Sequence, residues 1–150
     1  MTTPGQNRVA DRWAEGIIST VMEIAPKILE KHTDYDLMSA YIYSATMTLN
    51  DFIQMGVMHD WVVHSIGHEL TALHGIDHGE SLAIAYPGVA EVLRDQKKGK
   101  LLQFGERVLG IKEGSDDERV DATITGIEAF FKSLGLATRL SEKGLGIGNG

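Results

Sequence analysis

Residues 8–28, RVADRWAEGIISTVMEIAPKI, set Val9, Trp13, Ile17, Val21, Ile24 and Ile28 at intervals of 4, 4, 4, 3 and 4. Apolar residues at that interval line one side of a 3.6-residue helix, whereas a half-buried strand would alternate every second residue. The interval returns along the chain and no strand-length alternation interrupts it, so the spacing predicts an all-α, multi-helix bundle. Pro26 lacks an amide hydrogen and is expected to kink the first helix or to open a new segment. A second helix is expected over Tyr35–Met55, with Thr33 as N-cap, Asp36 three residues on, and Gly56 closing it. Its spine of Met38, Ile42, Ala45, Leu49 and Phe52 has little charge on either side, which predicts a central position covered on more than one face.

Further along, Asp60 is a candidate cap for a third helix that contains WVVHSIGHELTALH and ends at Gly75. A helix from Glu80 is expected to break at Pro87-Gly88, and a shorter one to cover Lys100–Val108 before Gly110. Ser115 and Glu118 form a capping-box pattern ahead of Val120, Ile124, Ile127 and Phe131, spaced 4, 3 and 4. With no repeat and no long linker, residues 1–150 read as one helical domain, its glycine-rich end from 144 to 150 expected to fray. That end, GLGIGNG, lacks the spacing and the following helix of a phosphate loop.

The bulk composition narrows the function. A length of 150 residues with 43% hydrophobic and 23% charged residues suits a self-sufficient core. A net charge of -7 argues against nucleic acid, which needs a basic surface. The longest uncharged stretch, Leu37 to Asn50, has 14 residues, short of the ~20 that span a bilayer, so no membrane partner is expected. The N-terminal MTTPGQNRVADRW has no signal-peptide pattern. The absence of cysteine excludes disulfides, thiolate ligands and Cys nucleophiles and tilts the expected location towards the cytoplasm.

Five of the six histidines, His59, His64, His68, His74 and His78, lie within residues 59–78. Imidazole is the commonest metal ligand and the usual proton carrier near neutral pH. His64 and His68, four apart, share a helix face; the spacing permits a shared ion and is also common by chance. His68 and His74 are six apart, which defeats a comparison with zinc-protease helices. His64 and His78 are 14 apart and meet only if the chain turns, for which Gly75-Ile76-Asp77 supplies a break. For Glu69, Asp34, Asp36 and the acids at 116–118, solvation or capping is the simpler reading. Trp61 and Tyr86 are expected in core packing rather than on a pocket wall.

The segment from His64 to Ile84, HSIGHELTALHGIDHGESLAI, resembles the iron-containing alcohol dehydrogenases, in their NADPH-dependent aldehyde reductase and butanol dehydrogenase branch. The similarity extends from Asp11-Arg12-Trp13-Ala14-Glu15-Gly16 through Asp60-Trp61 and Tyr86-Pro87 to residues 113–119, EGSDDER. The resemblance implies a C-terminal all-helical domain that holds a divalent metal, iron, zinc or nickel, beside an α/β domain that binds NADP(H). It implies metal ligation by His64 and His78 and a place for His68 beside the metal, as proton relay or substrate contact. The implied reaction is hydride transfer between NADPH and an aldehyde, with alcohol as product.

In the family, an Asp and a His four residues after it complete the ligand set, ahead of the segment matched by Asp11. Here only ten residues precede Asp11, and none of Met1–Ala10 is Asp or His. The resemblance therefore implies a fragment without the cofactor domain, inactive as an isolated chain, with exposed apolar surface and a tendency to self-associate. Two other classes remain open: a stand-alone helical interaction module without catalysis, and a metal-dependent hydrolase with Glu69 as base.

Overall fold

The computed structural model describes residues 7–146. Six α-helices account for it: α1 (Arg8–Glu30), α2 (Tyr35–Leu49), α3 (Val62–His74), α4 (His78–Val92), α5 (Arg94–Arg107) and α6 (Asp116–Ser133), with 3-10 turns at Phe52–Gln54 and Leu140–Lys143. No strand occurs among the described residues. The all-α expectation holds, and the spaced apolar residues explain it: each helix has one face to bury.

Local signals set most boundaries. Asn7 Oδ1 accepts from Ala10 N at 3.1 Å and starts α1. The Ser115–Glu118 capping box is complete, with Ser115 N donating to Glu118 Oε2 at 2.8 Å. Asp60 acts one residue earlier than a formal cap, its Oδ1 accepting from Val62 N at 2.9 Å. At the other end of α3, Gly75 takes a left-handed φ of +66°, where a side chain would be strained.

Five expectations need correction. The N-cap of α2 is Asp34, not Thr33, with Leu37 N donating to Asp34 Oδ1 at 3.3 Å. That helix ends at Leu49 rather than Met55, because Asp51 turns to a φ of +65° and Asn50 Oδ1 takes Phe52 N at 3.1 Å. It is also peripheral: Tyr35, Tyr43 and Leu49 are 81%, 67% and 79% exposed, and Ser44 is its buried residue. Among the described residues it packs mainly on α1 and the Phe52–Gln54 turn. Lastly, α4 runs through Pro87 to Val92, and α5 starts at Arg94 instead of Lys100. Pro87 removes one amide donor, but burial of Ala83, Ile84, Ala85, Val89 and Ala90 on the same helix outweighs that loss. Pro26 likewise sits inside a continuous α1. Of the segment expected to fray, residues 147–150 lie outside the described residues.

The core lies where α4, α5 and α6 converge on Ala90, Leu101, Val120 and Ile124, with Tyr86 and Leu102 packed against them. Tyr86 meets Phe131 edge-on at 6.2 Å, and burial pushes its phenol up to about 12. Tyr86 thus belongs to the core, as expected. Outside it, Trp13 of α1 stacks on Phe52 at 4.5 Å. Between α1 and α5 the contact is polar: Lys100 Nζ reaches Asp11 Oδ2 at 2.6 Å, Gln103 Nε2 donates to Glu15 Oε1 at 2.5 Å, and Arg107 pairs with Glu15 at 3.2 Å. Lys97 of α5 also pairs with Asp60, tying the start of α3 to the same helix.

Candidate metal centre

The α3–α4 hairpin decides which histidines meet. Gly75 N donates to Thr71 O at 2.9 Å and closes α3; Ile76, 5% exposed, plugs the turn; α4 then begins at His78 itself. The two helices lie close together at Gly67, where an added Cβ would fall 2.8 Å from Leu82 Cδ2 and 3.0 Å from Ser81 Oγ. Ser81 fixes the first turn of α4, donating through Oγ to His78 O at 2.8 Å, while Thr71 Oγ1 donates to Ser81 Oγ at 3.3 Å.

This arrangement brings three of the predicted residues together. Ring centroids are 5.5 Å apart for His64 and His78, 5.0 Å for His68 and His78, and 6.1 Å for His64 and His68. His64 is the half-buried member, and its pKa is lowered by desolvation and then by the neighbouring His78 and His68. A neutral imidazole is the form that ligates metal. His68 and His78 are exposed, as is Glu69. His74 is exposed at the end of α3, and the ring of His59 contacts Trp61 at 5.7 Å rather than the other histidines.

Trp61 was expected in the core; it is 53% exposed, with its ring edge-on to His64 at 5.0 Å. Its position just ahead of α3 puts it beside the histidines, held there by the Asp60–Lys97 pair. Sequence spacing found the histidines but missed Trp61, Gly67 and Lys97. Trp61, three residues before His64, had the one usable signal: i and i+3 share a helix face. Among the described residues, no group of three or more His, Cys, Asp or Glu side chains is arranged to hold an ion. The donors present, imidazole nitrogens, suit a divalent transition metal in kind and stop at a partial set.

A model of the Fe-containing alcohol dehydrogenase family, C-terminal, matches residues 2–147. The chain belongs to this family. It is 48% identical over 145 residues to the NADPH-dependent aldehyde reductase YqhD of Escherichia coli, covering 97% of this chain and 38% of that protein. Identity to NADP-dependent alcohol dehydrogenase 3 of Entamoeba histolytica is 41%, over 93% of this chain and 35% of the relative. The crystal structure of E. coli YqhD superposes with a TM-score of 0.94 at 48% identity, over 96% of this chain and 37% of the other. NADH-dependent butanol dehydrogenase A from Thermotoga maritima gives a TM-score of 0.88 at 28% identity, over 93% and 35%. Within the iron-containing alcohol dehydrogenases, this chain is thus a C-terminal domain of the aldehyde reductase branch, and it spans between 35% and 38% of the length of these relatives.

Proposed function

We propose that this chain is the metal-binding helical domain of an NADPH-dependent aldehyde reductase. His64 and His78 would hold a divalent iron, zinc or nickel ion, with His68 beside it. The carrying observation is the 5.5 Å approach of two rings that are 14 positions apart in sequence, produced by the left-handed turn at Gly75. The chemistry supplied by an ion bound there is Lewis-acid polarisation of an aldehyde carbonyl for reduction by NADPH. Partial burial and the neighbouring His78 and His68 lower the pKa of His64, which favours the unprotonated imidazole that a metal needs. His78 sits at the first position of α4, its main chain held through Ser81. His68, exposed and 5.0 Å from the ring of His78, would hold a proton at an imidazole nitrogen for delivery to the carbonyl oxygen as it is reduced.

Two imidazoles leave the remaining ligand positions to water or to donors outside the described residues. Binding by this chain alone is therefore expected to be weak relative to a four-donor site, and the 150 residues are expected to turn over no aldehyde. Calorimetric titration of the chelator-treated chain with Zn(II) and Ni(II) tests the reading. One-to-one binding that His64→Ala and His78→Ala each abolish would support it. Binding unchanged in both variants would overturn ligation by this pair. A second reading, a non-catalytic interaction module, draws on the exposed apolar side of α2. It requires that the histidine variants leave partner binding intact.

A further inference from the structure

A surface cavity of about 360 Å³, sharing no lining residue with the histidine cluster, is lined by Arg8, Asp11, Arg12, Gln103 and Arg107. Its acids are already engaged. Asp11 takes Lys100 at 2.6 Å, and Glu15, next to the cavity, takes Gln103 at 2.5 Å and Arg107 at 3.2 Å. Arg12 Nη1 donates to the main-chain oxygen of Arg8 at 3.3 Å. Neither the Arg8 nor the Arg12 guanidinium pairs with a carboxylate among the described residues.

Counting the seam with the cavity, Arg8, Arg12, Lys100 and Arg107 face Asp11 and Glu15, a local cation excess on a chain of net charge -7. The placement is costly by itself. Arg8 is the first residue of α1 and Arg12 lies one turn on, at the positive end of the helix dipole, where cations are disfavoured and anions favoured. An anion in the cavity would relieve both the dipole and the mutual repulsion of the guanidiniums. Arg forks match the oxygens of a phosphate in bidentate fashion, and the volume is in the range of small-molecule sites.

We propose that this cavity binds a phosphate group, with Arg8 and Arg12 as its contacts and Arg107 as the wall. The site is independent of the histidine reading and uses the chain as it stands. The test titrates the full chain with inorganic phosphate and with glycerol phosphate, following backbone amide shifts by NMR, with sodium chloride at matched ionic strength as control. Saturable shifts centred on residues 8–12 and 103–107, weakened at least tenfold in the Arg8→Ala/Arg12→Ala double variant, are expected. Tighter binding of glycerol phosphate would identify a phosphorylated metabolite as the ligand, and equal binding would identify the free ion. Shifts reproduced by chloride, unchanged in the double variant, or centred on His64 and His78 would overturn the proposal. Both arginines are exposed, so the variants are expected to keep the helical circular dichroism of the parent chain, which confirms that any loss is local.

Discussion

At Gly105 of α5, an added methyl group would collide with Thr123 Oγ1 of α6, a side chain with no solvent exposure. Gly105→Ala is expected to destabilise the fold by about 1–3 kcal/mol, the usual cost of overpacking, and pairing it with Thr123→Ser is expected to recover little because the hydroxyl stays. Gly99→Ala, on the same helix with nothing near the new carbon, is expected to be neutral or to stabilise by about 0.5–1 kcal/mol. Thermal melts of the three variants check both statements. Among the histidines, His64→Ala and His78→Ala are expected to weaken Zn(II) binding more than His59→Ala or His74→Ala; equal effects in all four would indicate scattered surface binding. Spacing alone allowed a turn at Gly75 to bring His78 back towards His64 without requiring it, and the resemblance to the family is what singled out these two. The ring of Trp61 was not legible: an aromatic residue beside an apolar run reads as core, and only the absence of a covering element exposes it.

Helices with a local punctuation mark were legible, and helices bounded by packing were not. Gly75 and the Ser115–Glu118 box ended and began helices where expected, whereas Pro87 did not interrupt α4 because burial along that helix overrides one missing hydrogen bond. The charged seam between α1 and α5 lies 88–92 residues apart in sequence and had no local signal at all. Asp11 shows its effect on pH dependence. Burial alone would raise its carboxyl, but hydrogen bonds from Lys100 and Gln103 and the charges of Lys100 and Arg107 hold it below the ordinary aspartate value. Its contribution to stability is therefore complete above pH ~4 and is lost as the pH falls through its lower folded value. Lys100→Met leaves that carboxylate with Gln103 and the charge of Arg107 as its remaining partners. It is expected to cost about 1–3 kcal/mol at neutral pH and to flatten the acid limb, as read by urea melts across pH.

Across the whole molecule, apolar burial is concentrated in α4, α5 and α6, while α2 leans on α1 and leaves Tyr35, Tyr43 and Leu49 in solvent. Opening free energies follow local burial. Amides of α2 are accordingly expected to exchange hydrogen faster than those of α4–α6 in native conditions, and uniform protection across the six helices would contradict this division. The even apolar pattern of α2 pointed to a central helix because hydropathy reports that a surface is suited to burial, not which surface covers it.

The loop between α3 and α4 is three residues long, and α4 starts on a histidine. One residue inserted there would change where α4 starts relative to the end of α3. His78 would swing off the line to His64 although every donor atom remained. Insertions and deletions at positions 75–77 should thus disturb the approach of His64 and His78 far more than length changes in the segment between α5 and α6, which lies outside this hairpin.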